Sequence, residues 1–322
     1  MKRRDFLRSA AITGITVSTI TPFSKVLASD NKSVIKPFFK LSLAQWSLHR
    51  MIREDGMNPF LFAAKANEMG FEGIEYVNAL YFNHLKKFSS VNKGMESFIK
   101  ESLKRSENEG LRNVLIMIDG EGRLAVENKN ERLKAIENHH KWIDAAAGLG
   151  CQSVRVNLGG SKDPDKWIEV STDSLLKLSE YGKKSDINVI VENHGGLSSK
   201  ANLLVKVIKN TNMSNCGTLP DFGNFCLSKD NSRPKGDNCI EEYNKYLGVE
   251  EMMPYAKAVS AKSYDFRENG DERYIDYERM LKIVKDAGYE GYIGVEYEGN
   301  NYPEEEGILA TKDLLLRLGS KL

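Results

Sequence analysis

Eight short runs of aliphatic and β-branched residues recur from residue 39 to the C-terminus, each followed by a longer stretch whose apolar residues repeat at helical spacing. Nothing else in the chain constrains its fold as tightly. A buried parallel strand reads as a continuous apolar run, and reaching its parallel neighbour requires a crossover helix. The runs are 40–45, 73–77, 113–117, 153–157, 188–192, 217–221, 258–263 and 292–297. The helical stretches are 58–69, 95–109, 132–149, 172–184, 200–209, 241–255, 277–287 and 303–318. Gly70, Gly150 and Gly288 close three of them, as expected where a helix stops before the next strand. Eight such units predict a closed (β/α)8 TIM barrel, an α/β fold in a single domain over 39–322, rather than an open doubly wound sheet. The open sheet's nucleotide fingerprint is also missing: no GxGxxG follows the first run, and no GxxxxGK[ST] occurs.

The charge balance narrows the partners. Lys and Arg number 46 against 45 Asp and Glu, a net charge of +1, and no basic stripe interleaved with aromatics appears. Such a chain has no electrostatic excess with which to hold a nucleic-acid backbone. The expected partner is a small molecule, with self-association into a homo-oligomer left open.

The first 28 residues read as a targeting segment. Arg3-Arg4 precede a mildly apolar run over 10–23, and Val26-Leu27-Ala28 then offers a small-residue cleavage site. The pattern resembles a twin-arginine export signal, with 29–38 as a short linker, and predicts a periplasmic protein. The run is too short and too polar for a stable membrane span, which needs about 20 apolar residues. Cleavage would remove five basic residues and one acid, leaving a slightly acidic chain. Twin-arginine export carries folded proteins, often with a cofactor already loaded, so a metal is worth seeking. Cys151, Cys216, Cys226 and Cys239 form no CxxC pair, which removes support for structural zinc. Cys226 and Cys239 are near enough to bridge a loop in an oxidising compartment, but buried free thiols are the expected state.

In a TIM barrel the chemistry sits where strands end. The fifth run leads into Val191-Glu192-Asn193-His194-Gly195-Gly196, the sixth into Pro220-Asp221-Phe222-Gly223-Asn224-Phe225, and the eighth into Gly294-Val295-Glu296-Tyr297-Glu298-Gly299. Glu192, Asp221 and Glu296 thus occupy equivalent positions on three strands. Their repulsion is costly unless a cation or protons lie among them. Oxygen ligands suit Mg²⁺, Mn²⁺ or Ca²⁺, whereas an added imidazole would favour Zn²⁺, Co²⁺ or Mn²⁺. Other candidates at the mouth are Glu75 after the second strand, Arg155 and Asn157 on one face of the fourth, and Trp46 and His49 after the first. Arg155 is equally suited to a sugar hydroxyl or to Glu192. His194 adjoins a proposed ligand, and Arg267 follows the seventh strand. His84, His139 and His140 read as surface residues.

These three segments on an eight-fold βα pattern resemble the xylose-isomerase-like TIM barrels of the sugar phosphate isomerase/epimerase family, over essentially the whole mature chain. The resemblance implies a divalent metal (Mn, Mg, Co or Zn) held by Glu192, Asp221, a strand-seven ligand and Glu296, with Glu192 and Glu296 exchanging a proton with the substrate carbon. The family's strand seven commonly reads His-x-Lys-Asp, whereas this chain reads Ser260-Ala261-Lys262-Ser263. Ser260 stands at the ligand position. Lys262, two residues on and therefore on the same face, has an ammonium able to take over part of a cation's role. Asn224 replaces a histidine three residues after the metal aspartate. Five histidines, most of them misplaced, argue against the related AP endonucleases with their three-metal site. The implied activity is sugar isomerisation or epimerisation by proton transfer beside a carbonyl. The alternatives are a lyase or hydratase on 3-keto-glycosides and a non-catalytic sugar-binding barrel.

Overall fold

The computed structural model describes residues 36–230, 232–233 and 238–322. The expected signal peptide and most of the expected linker lie outside the described residues. All eight apolar runs are strands, and two further strands follow the sixth. In chain order these are β1 (Lys40–Ala44), β2 (Gly73–Val77), β3 (Arg112–Met117), β4 (Ser153–Val156), β5 (Asn188–Glu192), β6 (Cys216–Leu219), β7 (Cys226–Lys229), β8 (Cys239–Glu242), β9 (Val259–Ser263) and β10 (Tyr292–Tyr297). Eight of them form one parallel sheet in the order β6-β5-β4-β3-β2-β1-β10-β9. The two ends of this order meet through parallel bridges at Thr218/Ala256 and Asp221/Ser260. Phe222 N–H donates to Ser260 O at 3.0 Å, and Ser260 N–H donates to Pro220 O at 2.9 Å. The barrel is therefore closed, as the eight-fold rhythm predicts.

The helices are α1 (His49–Arg53), α2 (Phe62–Glu68), α3 (Phe82–Leu85), α4 (Val91–Asn108), α5 (Lys129–Gly148), α6 (Pro164–Lys183), α7 (Ala201–Thr211), α8 (Lys245–Met252), α9 (Tyr277–Asp286) and α10 (Glu304–Gly319). Side-chain caps start several of them: Ser90 accepts from Lys93 N–H, Asn128 from Glu131, Asp163 from Lys166 and Asp276 from Arg279. Asp163 with Pro164 explains why α6 begins well before residue 172. Gly70, Gly150 and Gly288 all take positive φ, at +71°, +67° and +73°, where a helix turns back toward the next strand.

Three readings need correction. The stretch 241–255 is not one helix, because Glu241 and Glu242 belong to an antiparallel hairpin of β7 with β8. A disulfide joins Cys226 to Cys239 across that hairpin, with Cα atoms 5.6 Å apart, so only Cys151 and Cys216 are buried free thiols. His139 is buried, not on the surface. It lies in the inward stripe of α5 with Ala135, Ile136, Trp142 and Ile143, and its Nδ1 is 2.7 Å from Ala135 O. Among the described residues no helix is long and apolar enough to cross a membrane.

Candidate active site at the barrel mouth

Alternation along each strand decides which residues enter the barrel. Glu192, Asp221 and Glu296, from β5, the turn after β6, and β10, bring carboxylate oxygens within 4.8 Å of one another, and all three are buried. Asp221 lies just beyond its strand, where Asn193 clamps it. Asn193 Oδ1 accepts from Asp221 N–H at 2.8 Å, and Asn193 Nδ2 donates to Asp221 O at 3.0 Å. Asp221 Oδ1 in turn accepts from Gly223 N–H and Asn224 N–H, at 2.9 and 2.8 Å, leaving Oδ2 toward the barrel axis.

Each glutamate has one oxygen in a firm hydrogen bond and a polar neighbour beside the other. Asn224 Nδ2 donates to Glu192 Oε1 at 2.8 Å, and Arg155 Nε stands 2.9 Å from Glu192 Oε2. Lys262 Nζ donates to Glu296 Oε1 at 2.7 Å and is 3.9 Å from Asp221 Oδ2. Ser260 Oγ lies 2.6 Å from Asp221 Oδ2 and 3.1 Å from Glu296 Oε2, so its single proton serves one carboxylate at a time. The predicted ligand position on β9 therefore does sit between two of the carboxylates, with a hydroxyl there instead of an imidazole. Burial pushes Asp221 up to about 8, with Glu192 and Glu296 adding to the rise and Lys262 opposing it.

The outer residues join through partners that the strand-end search missed. Asp119, two residues past β3, accepts from Arg155 Nη1 at 2.8 Å and from Asn157 Nδ2 at 2.7 Å. Its burial is outweighed by Arg155, His194 and Asn157, which hold the carboxyl below its usual range. Glu298 accepts from the Trp46 indole and lies 3.7 Å from Lys262 Nζ. Both could have been found by extending the search two residues past each strand. Trp46 stacks on His49 at 4.5 Å, placing that pair at the mouth beside Glu298. Glu75 lies deeper, with Oε1 accepting from Ser42 Oγ at 2.6 Å and Oε2 buried without a hydrogen-bond partner. Burial raises it to about 8, helped by Glu296 and Glu192. His194 is exposed on the loop after β5. Arg267 is not part of this assembly: it is exposed and donates to Arg273 O at 3.1 Å. The disulfide-bonded hairpin lines a cleft with Asn224, Tyr264 and Glu298.

Among the described residues, the three converging carboxylates of Glu192, Asp221 and Glu296 form ion pairs with Arg155 and Lys262, a surplus of acidic groups in a largely buried space. That surplus, with three converging carboxylates, fits a hard divalent cation, and the hydroxyl at Ser260 withdraws the imidazole that would favour zinc.

Comparison with known proteins agrees with this architecture. The family model described as xylose isomerase-like TIM barrel matches residues 63–318. Among solved structures, the IolI protein with a bound zinc atom aligns at 14% identity over 88% of this chain and 99% of its own, with a TM-score of 0.65. The 3-keto-D-glucoside 4-epimerase from E. coli aligns at 14% identity over 87% and 99%, with a TM-score of 0.64. A curated relative, the C-glycoside deglycosidase alpha subunit of Arthrobacter globiformis, is 37% identical over 54 residues, which are 17% of this chain and only 15% of that relative.

Proposed function

The chain belongs to the xylose isomerase-like TIM barrel family, and from that premise we propose that it is a sugar isomerase or epimerase acting by proton transfer beside a carbonyl. The observation that carries this reading is the convergence of Glu192 and Glu296 on one buried spot with Asp221 between the two strands' ends. Glu192, Asp221 and Glu296 would hold a divalent ion, which when bound polarises carbonyl and hydroxyl oxygens.

The remaining work falls to the chain's own groups. One glutamate takes the proton from the hydroxyl-bearing carbon next to the carbonyl; the C–H electron pair forms a carbon–carbon double bond and the carbonyl π pair moves onto its oxygen, giving an enediolate. Return of a proton by the other glutamate from the opposite face inverts that carbon, whereas return to the neighbouring carbon exchanges ketose and aldose. Asn224 and Arg155 fix the orientation of Glu192, and Ser260 that of Glu296. Each oxygen so engaged keeps a second lone pair for the proton. Trp46 offers an indole face to a sugar ring, and Arg155, Asn157 and Asp119 offer polar partners to its hydroxyls.

A second reading is favoured by the local match to a deglycosidase subunit. On a 3-keto-glycoside the same proton abstraction sends the electron pair toward a new double bond and expels the aglycone. In either case we propose that the protein works in the periplasm, supported by Arg3-Arg4 and the small-residue site at 26–28.

The test is a panel of ketoses and 3-keto-glycosides assayed with Mn²⁺, Mg²⁺, Co²⁺ and Zn²⁺, in which a released aglycone identifies the lyase. On a substrate that is turned over, Glu192→Gln and Glu296→Gln are each expected to lower kcat more than about 10²-fold with a much smaller effect on sugar binding. Near-normal turnover in both variants would move the active site elsewhere.

A further inference from the structure

The ammonium of Lys262 lies among the triad's carboxylates. Its Nζ is 2.7 Å from Glu296 Oε1 and 3.9 Å from Asp221 Oδ2, and its side chain is only 2% exposed. On the outer side the same nitrogen is 3.7 Å from Glu298 Oε2. Glu298 is 16% exposed and borders the cleft under the β7–β8 hairpin. One cation thus has two inner carboxylates and one outer one within reach.

The side chain is suited to movement between them. Lysine carries a compact point charge on a flexible four-carbon stem, unlike the planar fork of arginine. Ser260, on the same face of β9 and two residues earlier, reaches Asp221 Oδ2 and Glu296 Oε2 with a neutral hydroxyl, so the only positive charge that β9 brings to these two carboxylates is the Lys262 ammonium. A divalent ion bound to those two carboxylates would meet the ammonium at close range. In a nearly dry site, repulsion between such like charges is far stronger than in water.

We propose that Lys262 is a tethered cation occupying the metal position of the triad, so that a divalent ion enters only in exchange for the ammonium, which then turns to Glu298. The proposal rests on the reading above only in taking Glu192, Asp221 and Glu296 as the metal site. Without metal, the ammonium keeps the buried carboxylates paired. With metal, Glu298 becomes its partner. Apparent metal affinity is then set by this exchange as much as by the ligands themselves.

The experiment uses the full chain freed of metal with a chelator and titrated with Mn²⁺, the free ion being read by electron paramagnetic resonance. Lys262→Met keeps the stem and removes the charge, and it should bind Mn²⁺ about tenfold more tightly or better. Glu298→Gln leaves the ammonium without its outer partner and should bind about fivefold more weakly. Equal or weaker binding by Lys262→Met overturns the proposal. If that variant does not fold, Glu298→Gln decides, and unchanged or tighter binding overturns it. Mn²⁺ binding by Lys262→Met where the wild type binds none supports the exchange in its strongest form, and binding by neither overturns it. Turnover is not part of this readout. A wild type that moves no proton on any sugar yet shows both affinity changes would sink the proposed reaction and leave the exchange standing.

Discussion

Ser260 fills a position between Asp221 and Glu296 where an imidazole would add a nitrogen donor to three carboxylates. Ser260→His is therefore expected to tighten binding of Mn²⁺ or Co²⁺ in calorimetric titration; equal or weaker binding would mean that the ring does not reach the ion. Glu75 makes the second residue-scale prediction. Its carboxyl has a folded pKa of about 8 against an ordinary value of 4.5, chiefly through burial, so the folded chain keeps a proton that the unfolded chain releases. The stability this contributes is full below about pH 4.5 and is lost as pH rises toward and through 8. Glu75→Gln, neutral at every pH, should therefore gain stability relative to the wild type between pH 5 and pH 9 in urea unfolding. A difference that stays constant over that range would show that Glu75 ionises as freely in the fold as outside it. The triad was legible in sequence because three strands end alike. Asp119, Asn193 and Glu298 were not singled out, because their importance comes from what they touch on other strands.

Among the elements, β10 and α10 show how close packing holds a site residue in place. Glu296 and Tyr297 are consecutive in β10, and alternation sends one into the barrel and the other under α10. A Cβ added at Gly307 of α10 would stand 2.3 Å from the Tyr297 ring, so the helix can lie this low only with glycine there. Gly307→Ala should destabilise the protein by about 1–3 kcal/mol, the usual cost of overpacking, measured as a lower urea midpoint. An unchanged midpoint would mean that the helix shifts without cost. The strands and most helices follow from apolar period and glycine stops. The β7–β8 hairpin does not, because its disulfide pairs residues 13 apart whose approach no local pattern reports.

At the scale of the whole molecule, eight βα units close on themselves, and closure is what brings β5, the end of β6, and β10 to one mouth. Export is the remaining question at this scale. Replacing Arg3 and Arg4 by Lys should leave the precursor in the cytoplasm, as read by fractionation; unchanged periplasmic accumulation would remove the twin-arginine assignment.

Sequence by itself determined the class of fold, the order of its units and the three strand-end carboxylates, since each depends on short-range spacing that a linear chain records directly. Only the tertiary structure decided how those carboxylates are paired: Arg155 with both Glu192 and Asp119, and Lys262 among Glu296, Asp221 and Glu298. It likewise decided that Glu75 lies against Gly294, whose missing side chain leaves the carboxyl its room. The physical reason is that charge pairing in a buried space depends on distances between strands that are far apart in the chain. Those distances are set by barrel stagger and side-chain reach, and neither is written in the spacing of residues along a single strand.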